Sequence, residues 1–162
     1  MIILVLRPFN IGDYIEAQGE QGTVQRIDIF STVLTRLDNQ RVIIPNGPLA
    51  GGNINNKTAE KQRMVDLAIG VGYGDDLHKA ISALTEMCNT HPKVLKTPGA
   101  MVGIHDYGDS SINLVVRPWV LTEDYWTVFF ELNLKIKQTL DDAGISIPFP
   151  QRDVHLHNSS PS

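Results

Sequence analysis

A single cysteine, Cys88, leaves this chain unable to form an intrachain disulfide or a cysteine-based metal site, which suits a reducing compartment. No apolar run reaches the ~20 residues that a membrane-spanning helix needs. Met1 to Leu6 is uninterrupted and apolar, but it is too short to span and lacks the basic leader and longer core of a signal peptide. On periodicity alone that run fits a buried strand and a cut-off helix equally well. Positive charge is also scarce, with 14 basic against 18 acidic residues and a net charge of -4. No basic cluster of the kind nucleic-acid binding needs is present, which argues against phosphate backbones as partners. The remainder, 42% hydrophobic and 20% charged over 162 residues, is enough for one globular domain or two small ones.

The first third reads as short strands. Asp13 to Ala17 precedes Gly19 and Gly22, Thr23 to Ile29 alternates, Thr32 to Leu37 follows, and Asp38-Asn39-Gln40 turns into Val42-Ile43-Ile44. A fifth strand is expected near Asn53 to Asn56. Close strands with glycine-rich turns predict a small barrel or a strongly bent sheet. At Pro45-Asn46-Gly47 the apolar run Val42-Ile43-Ile44 ends, and Asn-Gly suits the positive φ of a tight turn. Pro48 to Gly51 allows no more than one helical turn. Asn55 to Gln62 is polar without an apolar period and is expected to connect two domains, with the boundary near Thr58.

Beyond it, Val65, Leu67, Ile69 and Val71 alternate with smaller or polar residues, which places Asp66 away from the core. Asp75-Asp76 suits a helix start, Leu77, Ile81, Leu84 and Cys88 give the helical period, and Pro92 stops it. Met101 to Tyr107 and Ile112 to Leu121 form a predicted hairpin, with Pro118 disturbing pairing in the second strand. Thr122 is a candidate cap. A helix with Tyr125, Phe129, Leu132, Ile136 and Leu140 on its apolar face follows, supported by a Glu131–Lys135 pair and ending at Gly144. Ile145 to Ile147 completes the order strand, helix, strand, strand, helix, strand, which is the ferredoxin-like split βαβ.

Signs of chemistry are sparse. Gly70-Val71-Gly72-Tyr73-Gly74 lacks both the dinucleotide fingerprint and the Lys-Ser/Thr of a phosphate loop. Ser110-Ser111 has no nucleophile-elbow glycines. Asp75-Asp76 and Asp141-Asp142 are sequence neighbours at helix ends, which cap rather than converge on a substrate. His155 and His157 share a face of an extended segment, but two imidazoles without a third ligand make a weak metal site. His78, His91 and His105 show no matching spacing, and Trp119, Trp126, Phe129 and Phe130 fit core packing or a subunit contact. No catalytic, cofactor or metal residues are therefore assigned.

One series of motifs is more specific. Arg7-Pro8-Phe9-Asn10-Ile11-Gly12-Asp13-Tyr14-Ile15, Gly22-Thr23-Val24, Ile29-Phe30-Ser31-Thr32 and Ile44-Pro45-Asn46-Gly47 together resemble the cytoplasmic region of the small-conductance mechanosensitive channel family. The resemblance continues through Ile69-Gly70-Val71-Gly72-Tyr73, Ser110-Ser111-Ile112-Asn113, Ala143-Gly144-Ile145-Ser146 and Pro148-Phe149-Pro150-Gln151. It implies an α+β multidomain fold. Residues 1–10 would be the end of a pore-lining transmembrane helix, 11–57 a five-stranded Sm-like β barrel, 63–150 a ferredoxin-like α/β sandwich, and 151–162 a C-terminal strand and disordered tail.

The resemblance also implies a function. Seven identical subunits would enclose a vestibule on the cytoplasmic side of a bacterial inner membrane, below a pore that opens under tension and releases ions and small osmolytes during hypo-osmotic shock. No cofactor or catalysis is implied, and membrane lipid is met through a transmembrane part outside this chain. Arg7, Pro8 and Phe9 would form the membrane-proximal junction, Asn46 and Gly47 the gating interface with the pore helix, and Asp66 a lateral portal lining. Val154 and Leu156 would point into a barrel shared between subunits. On this reading Asn46→Asp changes inactivation while the fold is kept. The rival classes are a soluble oligomeric ligand-binding regulatory module, which a gene beginning at Met1 would favour, and an RNA-binding protein, which the acidic balance opposes.

Overall fold

A computed structural model describes residues 6–157, and the apolar run before Leu6 lies outside them. The chain divides into two compact units, Met1–Lys61 and Gln62–Ser162.

The first unit is one antiparallel sheet in the order β4-β3-β2-β1-β5. Its strands are β1 (Tyr14–Ala17), β2 (Glu20–Ile27), β3 (Ser31–Thr35), β4 (Arg41–Pro45) and β5 (Ile54–Asn56), and β4 and β5 are its two edges. The turn from β1 to β2 has Gln18 at φ 52 and Gly19 at φ 74, the paired positive φ values of the two-residue turn that matches strand twist. Inside the sheet, Phe9, Ile15, Val24, Leu34, Ile44 and Leu49 make the core. The run Val42-Ile43-Ile44 is only one-third buried, because β4 is an edge strand and Ile43 is 61% exposed. Asn46 and Gly47 do not take positive φ; with Pro45 as the N-cap they open a short helix, α1 (Asn46–Gly51).

The second unit carries helices α2 (Leu77–Thr90) and α3 (Tyr125–Asp142), which share one apolar core with the three-stranded sheet β7-β9-β8. These strands are β7 (Leu67–Val71), β8 (Met101–Tyr107) and β9 (Ile112–Arg117). Leu84, Met87 and Cys88 of α2 and Val128, Leu132, Ile136 and Leu140 of α3 face Leu67, Val71, Leu114 and Val116. The Asp76 side chain accepts from the backbone N–H of Lys79 at the start of α2. Gly144, at φ 73, lets the N–H groups of Gly144 and Ile145 return to the carbonyls of Asp141 and Leu140 and so ends α3.

Pro118 splits the expected long strand. Residues Ile112–Arg117 stay with the three-stranded sheet, while β10 (Trp119–Leu121) pairs with β6 (Gln62–Met64) in a separate ribbon. Proline has no N–H to give, yet its carbonyl still accepts from Val65 N at 2.8 Å. Thr58 bonds to Asp13 and to the backbone of Tyr14, which ties it to the first unit rather than to a linker.

Two expectations for the second unit do not hold. Ile145 to Ile147 is not a strand; Ser146 O takes one bond from Gly72 N at 3.3 Å, but Ser146 N is held by Asp75, and Pro148 has no N–H to extend a ladder. Glu131 does not pair with Lys135, because His91 Nε2 meets its Oε2 at 2.6 Å. Nδ1 of His91 accepts from Lys93 N at 3.1 Å, so the ring proton sits on Nε2 and donates to Glu131.

Candidate functional site

Asn46 is a buried polar side chain of the first unit with three hydrogen bonds of its own. It is 6% exposed beside Thr32, which is fully buried. Its Oδ1 accepts from Thr32 Oγ1 at 2.7 Å, and its Nδ2 donates to the carbonyls of Asp28 at 2.9 Å and Ile29 at 3.2 Å. Its backbone N–H donates to Phe30 O at 2.9 Å. One side chain thus fastens the whole β2–β3 turn and presents Ile29 and Phe30, the latter 85% exposed, to the outside. Gly47 is exposed, and a Cβ there would meet nothing within 4 Å.

Phe9 is 1% exposed in the core of the first unit, so of the junction triplet only Arg7 and Pro8 face outward. Beside it, Asp13 gathers three donors: Asn10 N at 2.9 Å, Asn56 Nδ2 at 2.9 Å and Thr58 Oγ1 at 3.2 Å. Partial burial pushes the Asp13 carboxyl up, but these three hydrogen bonds outweigh it and leave the group below the ordinary aspartate value. The spacing Asn10-x-x-Asp13 was the available signal for this knot, a turn closed by its own carboxylate.

In the second unit Asp66 lies just before β7, and it is not a free charge. Arg117 Nε meets its Oδ1 at 3.0 Å, and both residues line a cleft of about 350 Å³ on the sheet face away from the helices. The glycine-rich loop after β7 is filled from within. Asp75 Oδ2 accepts from Gly72 N at 2.8 Å, Ser146 N at 3.0 Å and Ser146 Oγ at 2.7 Å. A Cβ on Gly72 would stand 2.8 Å from Ser146 Oγ and 2.9 Å from Asp75 Oδ2, so the glycine makes room for the protein's own carboxylate. The Tyr73 hydroxyl donates to Gly108 O. Cys88 is fully buried, and desolvation pushes its thiol up to about 11.

At the C-terminal end, Gln151 N is held by Ser110 Oγ at 3.0 Å; beyond it, residues 152–157 are exposed and form no strand within this one chain. Val154 and Leu156 are 63% and 87% exposed. Among the described residues no group of three or more His, Cys, Asp or Glu is placed to hold a metal, and no helix is long and apolar enough to cross a membrane.

Comparison with known proteins matches both units. Residues 1–59 fit the model of the mechanosensitive ion channel beta-domain, and residues 65–147 fit that of the C-terminal part of the mechanosensitive ion channel MscS. An uncharacterised MscS family protein of Synechocystis is 40% identical over 96% of this chain and 53% of its own length. The small-conductance mechanosensitive channel of Edwardsiella ictaluri is 36% identical over 98% of this chain and 56% of its own. The chain therefore spans about half the length of the curated relatives it matches. Among solved structures, the closed-state Helicobacter pylori MscS superposes with a TM-score of 0.90 at 34% identity, covering 98% of this chain and 63% of that one. Arabidopsis thaliana MSL1, at 21% identity and a TM-score of 0.75, shares the fold. With both units matched in order, the chain belongs to the MscS family of mechanosensitive ion channels.

Proposed function

We propose that this chain is the cytoplasmic vestibule portion of a mechanosensitive channel of a bacterial inner membrane. The observation that carries the reading is the superposition on the closed-state Helicobacter pylori channel over 98% of the chain. In this reading seven copies enclose a chamber below the pore, and ions and small osmolytes cross it when membrane tension opens the full-length protein. Arg7 and Pro8 meet the membrane-facing part of the protein, and the rim held by Asn46 and Gly47 meets the pore helix. The Asp66–Arg117 pair lines the lateral openings; because Arg117 offsets Asp66, the ring there is close to neutral rather than strongly cation-attracting. The segment holding Val154 and Leu156 supplies one strand per subunit to a shared barrel, with the apolar pair inward, which would use the backbone groups left open in one chain.

The test is pressure-clamp recording of the full-length protein in membrane patches from a strain without such channels, with survival of hypo-osmotic shock in parallel. A stretch-activated conductance together with rescue is the expected result. Absence of both from correctly inserted protein would overturn the reading. Asp66→Lys adds to Arg117 a second cation per subunit and should move the reversal potential in a salt gradient toward anions. Deleting everything after Gln151 should lower oligomer mass or melting temperature while each subunit keeps its fold.

A further inference from the structure

Asn46 is followed by Gly47, and that pair has a chemistry of its own. In an open chain, the backbone nitrogen after an asparagine can attack the side-chain amide carbon and close a five-membered imide. Glycine, with no Cβ, hinders that attack least. No other asparagine in the sequence precedes a glycine.

The fold treats the two reacting groups differently. The nucleophile is accessible: Gly47 is exposed, a Cβ there would meet nothing within 4 Å, and as the second residue of α1 its N–H has no carbonyl one turn earlier to bond to. The electrophile is held back. Asn46 is buried, its Oδ1 accepts from Thr32 Oγ1 at 2.7 Å, and its Nδ2 donates to the carbonyls of Asp28 and Ile29 at 2.9 and 3.2 Å. Bringing Cγ onto Gly47 N would take the side chain off these three partners and turn the Asn46 carbonyl out of the helical setting it has as the first residue of α1. The hold on the reaction therefore lies in Asn46 and its partners, and not in any shielding of Gly47.

We propose that Asn46 is a deamidation site guarded by the fold, inert while the β2–β3 turn is fastened and reactive in any chain whose first unit has opened. The step needs no oxidant, cofactor or enzyme. Gly47 N forms a bond to Asn46 Cγ, the Cγ–Nδ2 bond breaks, and ammonia leaves with the proton that Gly47 N gives up. One water then opens the imide. Hydrolysis at the side-chain carbonyl gives aspartate, and hydrolysis at the main-chain carbonyl gives isoaspartate, with the chain rerouted through Cβ and Cγ. Neither product has the amide that donates to Asp28 and Ile29, and isoaspartate also lengthens the backbone by a methylene where α1 begins. The reaction thus records that the unit was once open and makes its re-closure less stable. It is independent of the channel reading, so either can fail without the other.

The test is incubation of the chain at mildly alkaline pH, folded and in concentrated urea, with peptide mapping by mass spectrometry to follow conversion at Asn46. Conversion at least about 100-fold slower in the folded chain is expected, since only the open fraction reacts. Thr32→Val keeps the shape of the side chain but removes the hydroxyl that donates to Asn46 Oδ1. It should raise the rate in the folded chain roughly tenfold and leave the rate in urea unchanged. Gly47→Ala, for which the structure has open space, should slow the reaction in urea severalfold or more, because the added methyl group crowds the attacking nitrogen. Equal rates in folded and unfolded wild type, a folded Thr32→Val chain that reacts no faster than wild type, or conversion in urea that Gly47→Ala leaves undiminished would each overturn the proposal.

Discussion

Replacing Asn46 by aspartate changes one atom, yet the structure predicts a large effect. The amide nitrogen donates to two backbone carbonyls at 2.9 and 3.2 Å, and in the variant a carboxylate oxygen would face both of them. The bond from Thr32 can survive, since an acceptor remains on that side. Two hydrogen bonds are lost, two carbonyls lose their donor, and a charge is enclosed at a site only 6% exposed. Together these cost about 3–5 kcal/mol at neutral pH. For a unit of this size that corresponds to a melting temperature lower by roughly 24–40 °C. The penalty has a pH signature. Burial and the facing carbonyls would raise the new carboxyl above its unfolded value of about 3.9, so the variant loses least below that value and most above the raised one. Urea denaturation of wild type and variant at pH 7 and near pH 4 measures both. A variant within about 1 kcal/mol of wild type at pH 7, or a penalty that does not shrink on acidification, would refute the reasoning. The expectation that this substitution alters gating while leaving the fold untouched is thereby replaced, and any change in inactivation has to be read against a weakened β unit.

Cys88, fully buried and with its thiol pushed up to about 11, should react with a disulfide reagent at pH 7.4 at least about 100-fold more slowly in the folded chain than in urea; comparable rates would place it at the surface. Asp13 has a folded value below its unfolded one, so its contribution is present above the unfolded value and lost as pH falls through the folded value. Asp13→Asn should therefore flatten the acid limb of the stability profile, and a limb as steep as that of wild type would remove the claim. Gly72→Ala puts a methyl group 2.8 Å from Ser146 Oγ and should cost about 1–3 kcal/mol by calorimetry; an unchanged melting temperature would show that the Asp75–Ser146 lock yields freely.

Much of this architecture was legible because local chemistry and global fold agree. Leu84 and Cys88 on α2, and Leu132, Ile136 and Leu140 on α3, follow helical spacing, and Gly144 ends α3 where a left-handed residue is needed. Pro118 announced a break, but not that Trp119–Leu121 would change partners, because a short strand is assigned by what lies beside it rather than by its own pattern. Asn46 drew attention as a turn residue. Its importance proved to be the opposite of turn freedom, a buried side chain holding carbonyls from 17 and 18 residues earlier, and nothing local in Pro-Asn-Gly encodes that. Asp66 was expected outward and is outward, but its neutralising partner lies 51 residues away. Asp75 looked like a capping residue, whereas its neighbour Asp76 caps and Asp75 reaches to Ser146. The errors share one cause: hydrogen bonds between distant segments leave no periodic trace.

The split at Pro118 also bears on how the second unit would carry a load. Its first strand, Gln62–Met64, is held by three residue pairs with Trp119–Leu121 and by the Val65–Pro118 bond, and not by the ladder of the three-stranded sheet. A pull directed along Gln62–Met64 would load its three pairs together in shear, whereas a pull across the strand would open them one at a time. The ribbon can yield while the sheet behind it stays intact, because the proline contributes no donor through which the two ladders could break as one. The entry to this unit is in effect a short clasp of three residue pairs, laddered separately from the sheet it leads to.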